Sequence, residues 1–523
     1  MAILLRTRAP GVPLLDLDTY SYIMPALSQL SGSGFCQTFL GRDLAYPLFL
    51  LAVLKCGGDY YTITTVQHVS GILSGFVWWA TWLQWAAWLP ARLDRAWWVR
   101  LTGLAFLALY LWNANAIRYE ESIRPEGIFP MLALVQIWLC LLYARARWKD
   151  ARIVPMMCYG GAAILVSFIA YSTKPSWGFA SLVPVLVVAL GLIGKTAPPN
   201  VILRASPLAL GGALAVVWLL FVPWSVGWIP DERAKDFLPK ELFCLHAPII
   251  AKTIRMRVEK GGSSAEEEAY LGRLEAKIEE SRRVTKSFFH FVLGHNPETL
   301  LYHSNLLDEI PHCSDAAQRR RYMYRAYFEA LVAHPSEMLL KVLRQLRLSV
   351  SDLSLTLYGE NLRWKAFFQQ SLRAMDTFEA HDAMRPELPL GHVYERVRAE
   401  TRSRVGAIPK KVAVAPPVPD VLLQRIGPPF LALWVCAWPL LAVRIAWRRA
   451  RSHGDSLRDA LLVTGIFWAS CLGTSLTVAV ANSFDTHRYL HLLSALHSLL
   501  MAAGIVLAIA WFRGIRWPSR ARA

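Results

Sequence analysis

The sequence has no CxxC pair and no cysteine–histidine run at metal-ligand spacing. Its eight cysteines, Cys36, Cys56, Cys140, Cys158, Cys244, Cys313, Cys436 and Cys471, are scattered, several inside apolar runs where a thiol acts as a small hydrophobe. Walker, GxGxxG, GxSxG and HExxH signals are missing from any context that would give them meaning, which argues against P-loop, dinucleotide, α/β-hydrolase and zincin chemistry. Acidic residues are scarce beside basic ones, 38 against 56, leaving a net charge of +18. No basic-aromatic RNA motif accompanies that excess, and the basic residues sit in short clusters flanking apolar segments. There they serve as topology signals and headgroup contacts, so nucleic acid is discounted as a partner. Residues 1–15 have too short an apolar core, and no small-residue site, for a cleaved secretory leader. No internal repeat is present.

What the chain does have is apolar length. With 54% hydrophobic residues and 21 tryptophans over 523 positions, it is too apolar for one soluble domain, and the class implied is an integral membrane protein. Segments suited to crossing a bilayer run over about 63–89, 99–116, 127–143, 154–171, 177–193, 207–224, 428–446, 460–480 and 489–512, each near the ~20 residues a span requires. The first is rich in tryptophan (Trp78, Trp79, Trp82, Trp85, Trp88) and ends in Arg92, Arg95 and Arg100, the pattern of an interface belt. The expected fold is therefore an all-α polytopic transmembrane bundle. Residues 1–226 form its N-terminal part, residues 227–425 a polar, mostly helical insertion, and residues 426–523 its C-terminal helices and basic tail. Helical periodicity in the insertion is strongest over 265–292 and 316–348, and the proline-rich run 410–419 reads as a stiff connector back to the bilayer.

Taken alternately, the span ends rich in Arg and Lys (89–100, 145–152, 195–204, 444–458 and 513–522) fall on one face, which the positive-inside rule makes cytoplasmic. The other face receives 16–59, 113–126, 172–175, the insertion and 482–488. All the polar stretches suited to chemistry thus share one side. A segment at 44–56 is apolar but short; crossing the bilayer there would instead put Asp16 and Asp18 in the cytoplasm. Outside the cytoplasm, Cys36 with Cys56 or Cys244 with Cys313 could form disulfides.

Asp18 stands where a helix begins and serves as an N-cap on the simplest reading; the sharper reading makes it a general base, with Asp16 in reserve. Arg42 suits either a phosphate or a lipid headgroup. The run from Arg118 to Glu126 concentrates five charges. Pro125 marks a helix start that would account for Glu126, but a simple turn does not need Arg118 or Glu121. Lys174 precedes Pro175, and Arg488 opens the last span, so Arg42, Lys174 and Arg488 could form a basic cluster for a phosphate leaving group. His487 is a lone histidine and a weak metal candidate.

The pattern Asp18-Thr-x-Ser-Tyr22, Gly41-Arg-x-x-x-Tyr-Pro-Leu-Phe-Leu50 and Val66-Gln-His68 resembles the first outer loop and following helix of GT-C class membrane glycosyltransferases, relatives of protein O-mannosyltransferases and lipid A aminoarabinose transferases. Glu121 to Glu126 resembles their acidic second outer loop, Lys174-Pro175 their basic-proline turn, and Arg488-Tyr489 the start of their late span. The resemblance implies inverting transfer of a sugar from a polyprenyl-phosphate donor to a hydroxyl on a lipid or glycan acceptor, on the outer face of a cell membrane. Asp18, with Asp16, would be catalytic, and Arg42, Arg118, Glu121, Glu126, Lys174, His487 and Arg488 would bind substrate. No cofactor is implied, and dependence on a divalent metal is left open. The insertion lies mid-chain where many relatives carry a C-terminal soluble domain, so the acceptor does not transfer. The rival class is a transporter or lipid flippase, which would favour charges deep within spans and related halves.

Overall fold

The computed structural model describes residues 2–7, 9, 11–38, 42–192, 201–262, 264–284, 293–302, 304–351, 364–380, 389–407, 418–448, 456–481 and 492–512. Nearly all of it is helical, and five helices are long and apolar enough to cross a membrane. The chain opens with α1 (Ala2–Thr7), α2 (Leu17–Leu30) and α3 (Ala45–Lys55), followed by the long α4 (Tyr60–Ala86). The next stretch divides at Trp112–Asn113 into α5 (Trp97–Leu111) and α6 (Ala114–Glu121), because Asn113 starts a new helix by accepting from the Asn115 amide. Two long helices, α7 (Phe129–Trp148) and α8 (Ile153–Thr173), lead to a region expected to be one span. It is instead two 3₁₀ turns, Pro175–Trp177 and Phe179–Leu182, followed by the short α9 (Val183–Leu190). The apolar α10 (Val201–Val216) continues through a π-helical turn to Ser225.

The tryptophans of α4 do not form a lipid-facing belt. Trp78, Trp82 and Trp85 are fully buried and stacked in sequence, and the indoles of Trp78 and Trp85 meet the C-terminal helices α19 (Ser456–Ala481) and α20 (Ser494–Phe512). Trp78 donates to Ser498 Oγ at 2.8 Å and Trp85 to Thr464 Oγ1 at 2.9 Å. Turning inward satisfies both N–H groups, which a dry bundle otherwise leaves orphaned.

The insertion is two bodies rather than one. Helices α11 (Phe237–Leu245), α12 (Ala247–Glu259), α13 (Ala265–Arg283), α14 (Ala316–Ala333) and α15 (Pro335–Ser351) share a core of their own. The periodic stretch 316–348 is two helices divided at His334, with Pro335 at the start of the second, as the His334-Pro335 step predicts. By contrast, α16 (Trp364–Ala380) and α17 (Gly391–Ala407) share a core with the opening residues Val12 to Leu27 and with α3. A two-strand parallel pair, β1 (Phe35–Cys36) with β2 (Trp228–Ile229), also ties the opening loop to the start of the insertion. Most of the 410–419 connector lies outside the described residues; α18 (Val418–Arg448) begins within it and carries Pro428, Pro429 and Pro439. All eight cysteines are free, so neither expected disulfide is formed.

Candidate functional site

The site is built on the N-terminus of α2. Asp16, not Asp18, is the cap: its Oδ1 accepts from the amides of Asp18 and Thr19 at 3.0 Å each, and Thr19 Oγ1 accepts from the Asp16 amide at 2.9 Å. This reciprocal box places Asp18 one residue inside the helix and leaves its carboxylate for other partners. Arg42 Nη2 meets Asp18 Oδ1 at 2.5 Å, donates through Nε to Ser21 Oγ at 2.8 Å, and lies over the Tyr22 ring. Gln37 holds the Arg42 carbonyl at 2.8 Å and accepts from the Asp231 amide, coupling this loop to the insertion.

The second stretch enters from α6. A parallel bridge joins Leu14 to Ser122, through Leu14 N to Glu121 O at 2.9 Å and Ile123 N to Leu14 O at 3.1 Å. Arg124, held extended before Pro125, lands between the two opening aspartates. It pairs with Asp16, meets Asp18 Oδ2 at 3.0 Å, and has its Nε 3.6 Å from Glu126 Oε2. Lys174, at the C-terminal cap of α8 and extended before its own proline, reaches Glu126 Oε1 at 2.7 Å. Both residues of that pair are only 3% exposed. Three acids (Asp16, Asp18, Glu126) and three bases (Arg42, Arg124, Lys174) thus interlock across three distant stretches of sequence.

A second cluster lies against the first. Glu120 is clamped by Arg6 through two 2.6 Å bonds and by His68 Nδ1 at 2.8 Å, while Glu121 Oε1 stands 3.2 Å from His68 Nε2 and accepts from the Gly11 amide. Gln67 links the clusters: it donates to the carbonyls of Glu120 and Ser122 and accepts from the Tyr46 hydroxyl at 2.7 Å. Gly71 makes room for this arrangement, since a Cβ there would sit 1.9 Å from Glu120 Oε1. A narrow cleft beside both clusters is lined by Ser70, Ser74, Tyr110, Glu120, Glu126 and Met131.

Of the residues singled out in the sequence, Asp16, Asp18, Arg42, Glu126 and Lys174 fall in the first network and Glu121 in the second. Arg118 does not join them. Its guanidinium lies over Tyr119 and Phe367, 4.3 and 4.1 Å from the ring centres, where it fastens α6 to α16. His487 and Arg488 lie outside the described residues. Arg124, which meets three carboxylates, and Glu120 stand out in the sequence only as members of the charged run 118–126, His68 only within Val66-Gln-His68, and Arg6 carries no signal for the site. The short segment 44–56 does not cross anything: α3 has 11 residues, about 16 Å of helix, and packs beside α2 and α8. Asp18 therefore shares an end of the bundle with Glu126 and Lys174.

Asp43 follows Arg42 and precedes α3. Burial pushes its carboxyl up to about 7 against the opposing pull of Arg42. Tyr302, of the insertion, is close enough for the Asp18 and Arg42 charges to act on its phenol. Among the described residues, no group of three or more His, Cys, Asp or Glu side chains is placed to hold a metal. No family model, curated protein or solved structure matches the chain.

Proposed function

We propose that this chain is a membrane glycosyltransferase of the GT-C class, transferring a sugar from a polyprenyl-phosphate donor to a hydroxyl acceptor on the extracytoplasmic face. The observation that carries the reading is the interlocking of Asp16, Asp18, Arg42, Arg124, Glu126 and Lys174 at one end of the helices. Basic residues of the described span ends lie at the other. Lys149 donates to Ala87 O and covers Trp88, Arg147 donates to Gly191 O, and Arg204 to Leu192 O. The 20 residues of α7 separate Glu126 from that basic end by about 30 Å. Basic clusters mark the cytoplasmic face, so the charged network faces away from it. No nucleotide-sugar pool exists there, and a donor held by a lipid anchor slides to the site within the bilayer.

In this reading Asp18 takes the proton of the acceptor hydroxyl as its oxygen bonds to the anomeric carbon from the face opposite the phosphate. The bond from that carbon to the phosphate oxygen breaks, and its electron pair leaves with the polyprenyl phosphate, so configuration inverts. Arg42, Arg124 and Lys174 offset the charge of the departing phosphate. The donor phosphate competes for the guanidinium groups that hold Asp18, which raises the basicity of Asp18 when donor is bound. The test is purified chain in proteoliposomes supplied with a polyprenyl-phosphate sugar. Asp18→Asn abolishes release of polyprenyl phosphate while thermal unfolding and membrane insertion stay as in the unsubstituted chain. Retained turnover removes Asp18 as the base.

A further inference from the structure

Helix α15 packs between the insertion and the apolar helices α18 and α19, and its two faces differ sharply. Met338, Gln345 and Ser349 are buried on one side, with Lys341 donating to Ala479 O of α19 at 2.8 Å. Opposite them, at helical spacing, Leu339, Leu340 and Leu343 are exposed, and the exposed Arg344 and Arg347 follow on the same side of the helix. The neighbouring α14 adds exposed Phe328, Leu331 and Val332, the last 81% accessible. Six large apolar side chains on adjoining helices form a ridge beyond what a water-facing surface carries singly.

Among the described residues, the charges beside the ridge that lack an ion-pair partner are of one sign. The nearby acids are already engaged: Glu329 by Arg257 and Arg325, Glu337 by Lys252. Arg344 and Arg347 have no carboxylate partner among the described residues. The ridge also adjoins the surface of α18, where Ile426, Leu433 and Leu440 are exposed. Ala479 lies near the end of α19 that carries Thr477, which accepts from the Phe179 amide just past Lys174, so α15 sits at the level of the charged network.

We infer that the α14–α15 ridge is an interfacial membrane anchor: its leucines and Phe328 enter the outer leaflet, and Arg344 and Arg347 bind anionic lipid headgroups. An amphipathic helix with apolar and basic residues on one face has the chemistry for that position. Docking would hold the insertion down on the leaflet at the level of the charged network. The inference rests on the membrane part of the proposed function, independently of the glycosyl chemistry.

The experiment places an environment-sensitive fluorophore at Leu340→Cys, in the full chain with Cys36, Cys56, Cys158, Cys313 and Cys436 replaced by alanine. A second labelled chain carries Leu440→Cys, on the exposed face of α18. Both are reconstituted in phosphatidylcholine vesicles with and without phosphatidylglycerol and challenged with acyl-chain nitroxide lipids and with a water-soluble nickel chelate. Both labels are expected to be quenched by the nitroxide lipid and shielded from the chelate. Arg344→Gln with Arg347→Gln should lower the docked-to-undocked ratio at position 340 about five-fold per arginine in anionic vesicles, and should leave position 440 unchanged. Lipid quenching at 440 but not at 340 overturns the anchor, whether 340 is open to the chelate or covered by another protein surface. Quenching at neither position overturns the membrane reading itself. Lipid quenching at 340 that ignores both phosphatidylglycerol and the arginine substitutions overturns the headgroup role.

Discussion

At the scale of single residues, the Lys174–Glu126 pair is the most consequential contact. Both groups are buried, and removing Lys174 takes away the cation 2.7 Å from Glu126 Oε1, which offsets much of that carboxylate's desolvation. Lys174→Met should cost about 3 kcal/mol or more of stability, and Glu126→Gln in the same chain should restore part of it. Thermal unfolding in detergent checks both, and a neutral Lys174→Met would show the pair to be dispensable. Asp43 gives a pH signature. Its native carboxyl is raised to about 7 from the ordinary 3.8, so between those values the native state holds a proton that the unfolded chain has released. Stability from this group therefore falls as pH rises from about 4 to about 7, then levels off. Asp43→Asn should flatten that slope and raise the unfolding temperature at neutral pH relative to the unsubstituted chain. Arg118 was legible as a charge but not as a stacking group, because its partner Phe367 lies almost 250 residues away.

At the scale of elements, proline and capping chemistry decide where hydropathy and periodicity predict the helices and where they do not. The start of α2 was readable, but the cap moved from Asp18 to Asp16 because Thr19, three residues on, completes the box with Asp16. Asp16→Ala should cost about 1 kcal/mol as a lost cap, plus the Arg124 pair. Its effect on turnover should be smaller than that of Asp18→Asn in the release assay. The apolar segment 177–193 misled because hydropathy does not register that Lys174-Pro175 and Gly178 favour turns before α9 begins. Tryptophans of α4 misled for a related reason: composition reports that an indole suits an interface, whereas Thr464 and Ser498 offer it partners inside. Gly71 belongs to this scale as well. Gly71→Ala forces the Glu120 carboxylate to move and should lower both stability and activity, while Gly212→Ala, inside α10 where a Cβ meets nothing within 4 Å, should leave activity unchanged and stability the same or higher.

At the scale of the whole molecule, the charged network and the basic residues Arg147, Lys149 and Arg204 lie at opposite ends of the described helices. The sequence could show this because basic clusters adjoin nearly every apolar segment; alternation put Glu126 and Lys174 together, while the side of Asp16 turned on segment 44–56, whose helix has 11 residues. It could not show which acid meets which base. Glu120 and Glu121 are adjacent and chemically alike, yet one is clamped by Arg6 and the other accepts from Gly11. Sidedness decides whether the donor can be lipid-borne, and it is directly measurable. Cys56, exposed just before α4, and Arg95→Cys, beyond the other end of that helix, each serve as the sole reactive thiol. A membrane-impermeant maleimide applied to intact spheroplasts should label Cys56 fully and the cysteine at position 95 only after lysis. Labelling in the reverse order, or of both positions from the outside, would contradict an extracytoplasmic site.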